Sequence, residues 1–165
     1  MKKLLFTILC IMVCFGMVST SLAEEIKVTL FTTQAQKPLG YVTFKDTDHG
    51  LFIKPQLSNL APGLHGMHIH QNPSCAMHGD QAGTHLDPAQ TNTHQGPYAM
   101  GHLGDLPALY VDPKGFAMLP TLAPQLTTKD LHGHSLIIHL GSDNYADTPN
   151  PAGGGGTRFA CGIIQ

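Results

Sequence analysis

Short runs that alternate apolar and polar residues, separated by turn formers, constrain the fold of this chain most strongly. Three such runs cover 26–33, 39–46 and 51–57, with turn formers at Pro38, Asp48-His49-Gly50 and Pro62-Gly63. The pattern continues through 63–70, and later runs cover 108–111, 116–119, 135–140 and 158–164. A period of two is typical of strands that bury one face. Because no segment keeps a helical period, we predict an all-β sandwich or flattened barrel.

Two segments break this rhythm. Residues 71–106 form a stretch far longer than an ordinary connection, and residues 141–157 are rich in glycine, proline, asparagine and aspartate. Long segments without regular structure inside a compact domain are usually functional or disordered. The first segment contains cysteine and histidine residues, so we expect a disulfide and metal to order it.

The first 23 residues have the composition of a secretory signal peptide. Lys2 and Lys3 precede an apolar run over 4–18, and Ser21-Leu22-Ala23 offers small residues for cleavage. The run has about fifteen apolar residues, whereas a bilayer-spanning helix needs roughly twenty. We predict a signal peptide over 1–23, a periplasmic location and one domain over 24–165, with a membrane anchor as the alternative.

Removal of that segment changes the number of cysteines. Of the four in the sequence, Cys75 and Cys161 remain in the mature chain. In an oxidising compartment a pair of cysteines predicts a single disulfide. Two free thiols or two further metal ligands stay open as alternatives. Neither cysteine belongs to a CxxC pair, which argues against a zinc knuckle or a redox motif.

Between residues 68 and 139, seven side chains are candidate metal ligands: His68, His70, His85, His94, His102, Asp105 and His139. Imidazole commonly binds copper and zinc, and a carboxylate often completes a zinc site. Seven ligands exceed the need of one tetrahedral ion, so the set suits two metals. His68 and His70 are two apart in a predicted strand and point to the same face. A single His-x-His motif can equally be a chance pair of surface histidines. His139, from another predicted strand, can bind the same metal as a third ligand.

The remaining candidates suit a second ion. His102 and Asp105 are three residues apart within a predicted tight turn, and His94 can add a third ligand. His85 lies between the two groups in sequence. Because an imidazole has two ring nitrogens, His85 is the candidate that can serve both metals.

The sequence has few charged residues, and among them Arg158 stands apart. Charged residues make up 12% of the sequence, and the mature chain is mildly acidic, so we expect no binding to nucleic acid. From residue 71 onward the permanent cations are Lys114, Lys129 and Arg158. Arg158 lies between a glycine-rich segment and a cysteine, and we expect it to bind an anion. The alternative is a surface arginine paired with an acid.

Several motifs extend over essentially the whole mature chain. They are Gly63-Leu64-His65-Gly66-Met67-His68-Ile69-His70, Asn72-Pro73-Ser74-Cys75, His85-Leu86-Asp87-Pro88, Gly101-His102-Leu103-Gly104-Asp105-Leu106-Pro107, Gly133-His134-Ser135-Leu136-Ile137-Ile138-His139 and Gly156-Thr157-Arg158-Phe159-Ala160-Cys161-Gly162. These motifs, in this order, resemble those of the copper/zinc superoxide dismutases, in particular the bacterial periplasmic branch.

This resemblance implies a role for each candidate residue. Copper would be bound by His68, His70, His85 and His139, and zinc by His85, His94, His102 and Asp105. The bridging His85 would also deliver a proton. Asp143 would link His68 to His94, Arg158 would hold the anionic substrate, and Cys75 and Cys161 match the family disulfide.

The resemblance also implies the fold and the activity. The family fold is an eight-stranded Greek-key β-sandwich, and the activity is dismutation of superoxide with one copper and one zinc per subunit. The branch includes both monomers and homodimers. A periplasmic copper/zinc carrier without dismutase activity is the alternative function, although a carrier needs neither Arg158 nor two separable sites. A zinc hydrolase would keep one ligand position open for water.

Some positions depart from the family pattern or lie outside the ligand set. Met67 stands where an aromatic residue is usual, and Thr84 replaces a glycine before His85. We expect His65 to have a hydrogen-bonded core role. A copper-recruiting role for His78, next to Met77, is the less favoured alternative to a solvated side chain.

Overall fold

The computed structural model describes residues 25–165, so the predicted signal peptide lies outside the described residues. Within them the regular structure is almost entirely strand, and helix is limited to short 3₁₀ turns at Met77–Ala82, Thr128–Asp130 and Ala152–Gly154. No helix in this part of the chain is long and apolar enough to cross a membrane. The strands are β1 Glu25–Thr32, β2 Pro38–Thr47, β3 Gly50–Leu57, β4 Gly63–His65, β5 Met67–His70, β6 Leu109–Val111, β7 Thr121–Ala123, β8 His134–His139 and β9 Arg158–Ile164. The all-β prediction is confirmed.

Seven of these strands form one curled antiparallel sheet in the order β5-β8-β9-β1-β2-β3-β7, and β4 pairs with β6 in a second sheet. The alternation in the sequence explains which face each strand buries. In β1, Ile26, Val28 and Leu30 are buried, and the residues between them are exposed. Burial of each such side chain stabilises the fold by about 1.5–3 kcal/mol. One apolar cluster includes residues from both ends of the described chain, Ile26 and Ile164.

The run 63–70 forms two strands, which is one reason the structure has nine strands rather than eight. The Gly66 N–H donates to Gly141 O, and Gly66 O accepts from the His139 N–H, both at 2.8 Å. The chain therefore leaves the small sheet after His65 and enters the main sheet at Met67.

The run 116–119 differs from the prediction of a strand. Within it only Ala117 forms a bridge, to Leu57, and the neighbouring strand β7 begins later, at Thr121. The carboxylate of Asp112 accepts a hydrogen bond from the Phe116 N–H at 2.9 Å. This bond extends the turn after β6 into the run and leaves little of it for pairing.

Both long connections are present, between β5 and β6 and between β8 and β9. The predicted disulfide is confirmed: Cys75 and Cys161 are bonded, and their Cα atoms are 5.7 Å apart. Cys161 lies in β9, where it pairs with Ile137 of β8 and Phe31 of β1. The disulfide therefore attaches the first long connection to the middle of the main sheet.

Candidate metal centre

Three histidines of the first predicted group lie on one face of two paired strands. His68 and His70 alternate along β5 with two residues of the apolar core, so their imidazoles face away from that core. His68 pairs with Ile137 of β8. Because side chains two apart share a face, His139 lies on the same side as Ile137 and the two β5 histidines. Strand register thus brings together histidines that are some seventy residues apart in sequence.

The other edge of β5 recruits two pieces of the first long connection. His70 forms a β-bridge with His85, and His68 forms one with Asp105. Although the connection has no strand of its own, these bridges fix two of its predicted ligands beside the strand histidines. The short strand β5 therefore organises both predicted groups.

Hydrogen bonds orient the rings of the three strand histidines. In each, one ring nitrogen contacts an oxygen acceptor. These contacts are His68 Nε2 to Asp143 Oδ2 at 2.6 Å, His70 Nδ1 to Gly83 O at 2.9 Å and His139 Nδ1 to Gly156 O at 2.9 Å.

The opposite nitrogens of these rings are buried and have no hydrogen-bond partner: His68 Nδ1, His70 Nε2 and His139 Nε2. A buried polar atom left unpaired costs about 1–3 kcal/mol, so the arrangement calls for a ligand. One donor atom from each of these residues and one from His85 lie within 4.8 Å of one another. Four converging imidazole nitrogens fit a copper ion, for which imidazole is a suitable ligand.

The second predicted group converges on the carboxylate of Asp105. Its oxygens lie 2.9 Å from His85 Nδ1, 2.9 Å from His94 Nδ1 and 3.4 Å from His102 Nδ1. The Nδ1 atoms of His94 and His102 are buried and have no hydrogen-bond partner. Three imidazole nitrogens and one carboxylate form a donor set that suits tetrahedral zinc.

His102 is the loosest member of this group. A tighter grouping, with its ligand atoms all within 4.8 Å, contains His68 together with His85, His94 and Asp105, and leaves His102 out. We favour His102 as the fourth ligand, because His68 Nε2 is bound to Asp143 and the remaining His68 nitrogen belongs to the first group.

His85 joins the two groups. Its ring stacks on His68 with centroids 3.9 Å apart, and the centroids of His70 and His94 lie 4.9 and 5.2 Å away. Since its Nδ1 faces Asp105, its Nε2 is the nitrogen left for the first group. His85 is thus placed to bind both metals, as its position in the sequence suggests.

Asp143 connects the groups a second time, from outside. Its fully buried carboxylate contacts His68 Nε2 through Oδ2 at 2.6 Å and His94 Nε2 through Oδ1 at 2.8 Å. A carboxylate in this position fixes the ring orientation of both histidines and raises their basicity as ligands.

Burial controls the protonation of the first group. Desolvation lowers the pKa from 6.5 to about 3 for His68, about 2 for His70 and about 4 for His139. These imidazoles are therefore neutral at pH 7, which is the form that binds a metal.

The pKa of His94 differs from those of the strand histidines because its ring lies between two buried carboxylates. Burial alone lowers its pKa, but the nearby carboxylates of Asp105 and Asp143 outweigh that effect and raise the pKa to about 9. Burial likewise raises the pKa of both carboxyls, but the hydrogen bonds from histidines outweigh it and hold their pKa values below the usual range. The two carboxylates thus attract positive charge to this group, which a proton or a metal cation can supply.

Arg158 lies at the wall of a cavity of about 570 Å³ that His70, His85 and His139 also line. Its guanidinium donates to three carbonyl oxygens of the first long connection. These contacts are Nη1 to Gly79 O at 2.6 Å, Nη1 to Asp80 O at 3.3 Å and Nη2 to Gly83 O at 2.7 Å. Among the described residues no carboxylate forms an ion pair with it, so no direct contact neutralises its charge.

The structure adds three hydrogen bonds that the sequence does not predict, and two acceptors make them. Gly83 O accepts hydrogen bonds from both His70 and Arg158, and Asp147 Oδ2 accepts one from the His94 N–H at 2.9 Å. Any residue supplies a carbonyl, and Asp147 is one of several acids in its segment. No sequence signal distinguishes either acceptor.

The histidines outside the two groups have other partners. His65 is buried, and its ring nitrogens lie 2.9 Å from His139 O and 2.8 Å from Ala61 O, which confirms a hydrogen-bonded core role. His78 contacts Thr33 O at 3.4 Å. Within residues 25–165 the potential metal-binding clusters are the two described above, and His78 belongs to neither.

Comparison with known proteins identifies similar chains. A family model described as copper/zinc superoxide dismutase matches residues 39–164. The superoxide dismutase [Cu-Zn] of Legionella pneumophila is 49% identical over 149 residues, which span 89% of this chain and 91% of that protein.

Solved structures show the same likeness. The Cu/Zn superoxide dismutase from Brucella abortus has a TM-score of 0.82 and 40% identity, covering 86% of this chain and 100% of its own. The monomeric copper, zinc superoxide dismutase from Salmonella enterica has a TM-score of 0.74 and 44% identity, with the same coverage.

Proposed function

This chain belongs to the copper/zinc superoxide dismutase family, and we propose that the two ligand groups divide copper and zinc between them. The chain is a superoxide dismutase that uses both metals and acts on superoxide. We assign copper to His68, His70, His85 and His139, and zinc to His85, His94, His102 and Asp105. The observation that carries this assignment is the set of buried ring nitrogens without hydrogen-bond partners, which face two centres on either side of His85.

The reaction consumes two superoxide anions and two protons and yields one oxygen and one hydrogen peroxide. When bound, copper supplies the one-electron redox change, whereas zinc has no redox chemistry and holds His85 in place. Arg158 attracts each anion into the cavity and orients it, because its guanidinium is held by carbonyls and has no competing carboxylate. While its Nε2 is not bound to copper, His85 would hold a proton at that nitrogen and transfer it to the peroxide that forms.

Metal analysis combined with a superoxide-consumption assay tests this function. We expect the purified mature protein to bind one copper and one zinc per chain and to consume superoxide rapidly. A copper/zinc carrier would bind both metals without consuming superoxide. Binding of zinc without copper, and no activity after copper loading, would contradict the assignment.

We also propose that residues 1–23 are a signal peptide and that the domain over 24–165 acts in the periplasm. The basic and apolar start of the sequence supports this location, as does the disulfide, which forms and persists in oxidising compartments. Fractionation of an expressing bacterium, with mass spectrometry of the product, should find a periplasmic chain that begins near Glu24. A full-length product that remains with the membrane would contradict the proposal.

The family resemblance allows either a monomer or a homodimer. The relative from Salmonella enterica is described as monomeric. Sedimentation velocity of the mature protein distinguishes the two states.

A further inference from the structure

The segment 141–157 contacts the predicted zinc ligand His94 at several points. His94 lies in the first long connection, where no strand fixes its main chain. Its ring is held from outside by Asp143, through the Nε2–Oδ1 contact of 2.8 Å. Two further residues of the same segment, Asp147 and Gly153, lie against His94 or against this contact, and neither is a predicted ligand.

Asp147 fixes the main chain at His94. Its Oδ2 accepts the His94 N–H at 2.9 Å, and its Oδ1 accepts the Ala152 N–H at 3.2 Å. One exposed carboxylate therefore ties the ligand to two parts of the segment.

Because Gly153 has no side chain, it leaves space for the contact between Asp143 and His94. A Cβ at this position would clash with Asp143 Oδ1 and would lie 2.7 Å from His94 Nε2. The main chain cannot easily move away, because Gly153 donates to Ala146 O at 3.1 Å and accepts from the Asn144 N–H at 2.9 Å. Its φ of +79° also favours glycine. The buried Gly153 thus covers the contact between the carboxylate and the ring without disturbing it.

We propose that Asp147 and Gly153 are positioning residues that hold His94 in the zinc site. Asp147 fixes the ligand's main chain, and Gly153 permits Asp143 to fix its ring, so that Nδ1 points to Asp105. This inference rests on the assignment of His94 as a zinc ligand. Loss of comparable supporting contacts weakens metal binding about 10–100-fold.

Asp147→Ala tests the first half, with Asp112→Ala as the matched control. Asp112 Oδ1 also accepts two backbone N–H groups, from Lys114 and Phe116, both at 2.9 Å, in a turn that supplies no predicted ligand. We expect Asp147→Ala to weaken zinc binding about 10-fold or more, measured by competition with a chelator. Asp112→Ala should bind zinc as the wild type does, and Asp147→Asn, which keeps one acceptor oxygen, should fall between.

Gly153→Ala tests the second half, with Gly154→Ala as its control. Both glycines have positive φ, +79° and +70°, so both variants carry similar backbone strain. At position 154 the nearest atom to a new Cβ is Asn150 Cβ at 3.1 Å, a tight contact that a shift of a few tenths of an ångström relieves. We expect Gly153→Ala alone to weaken zinc binding and to change the visible absorption spectrum of cobalt(II) placed in the zinc site.

The outcomes separate this inference from the ligand assignment. If Asp147→Ala and Gly153→Ala bind zinc and give cobalt spectra like their controls, the positioning role is wrong. If His94→Ala also binds zinc like the wild type, the assignment of His94 itself fails. A folded, disulfide-bonded variant with weakened zinc binding supports the proposal, and the metal-free unfolding curve verifies folding in each case.

Discussion

Removal of the Cys75–Cys161 disulfide tests how the first long connection is held to the sheet. The bond joins residues separated by 86 positions. The chain-entropy estimate for a closed loop of that length is about 4.5 kcal/mol of stabilisation. Cys161 is buried, and its neighbours in the core are apolar, so alanine is a better replacement than serine. We expect Cys75→Ala/Cys161→Ala to lower the free energy of unfolding by about 3–5 kcal/mol.

Urea unfolding of the metal-free protein, followed by circular dichroism, measures this loss. Metal must be absent, because bound metal stabilises the folded state by mass action and would mask the difference. Wild-type protein kept in reductant is the control and should match the double variant. A loss below about 1 kcal/mol, the size of a single hydrogen bond, would refute the reasoning. It would mean that the hydrogen bonds of the connection hold it without the disulfide.

Further predictions concern the cavity and its surroundings. Arg158→Ala should retain both metals but lower kcat/KM by about 10–10³-fold, which is the range known for electrostatic steering, including in this enzyme family. Lys114→Ala is the control, and an unchanged rate at low salt would exclude the assigned role. Asp87 is the acidic side chain that lines the cavity with Arg158, so Asp87→Asn should raise kcat/KM and steepen its decline with salt in a stopped-flow series; a lower rate would argue against the role of charge. His65→Phe removes the ring nitrogens that contact Ala61 O and His139 O. Thermal or urea unfolding should therefore show a loss of about 1–3 kcal/mol in the free energy of unfolding, and full stability would contradict the structural role of His65.

Local periodicity predicts much of the site from the sequence. The alternation in 67–70 places His68 and His70 on one face, and the structure has them there. The tight spacing of His102 and Asp105 brings an imidazole and a carboxylate together, and the structure does so as well. Only the family resemblance tells which of the two groups binds copper and which binds zinc, because imidazole binds both metals.

Contacts made by the main chain could not be predicted. Gly83 O and Gly156 O orient His70, His139 and Arg158, but every residue carries a carbonyl. The division of the run 63–70 at Gly66 depends on hydrogen bonds to residues some 75 positions away. Pairing at that distance is decided by the assembled sheet, which a local pattern does not contain.

Anomalous diffraction at the copper and zinc absorption edges tests most directly whether two metals share His85. We predict two separate peaks in crystals of the metal-loaded mature protein. The copper peak should lie among His68, His70, His85 and His139, and the zinc peak among His85, His94, His102 and Asp105. A single metal position, or two positions that do not both contact His85, would contradict the account.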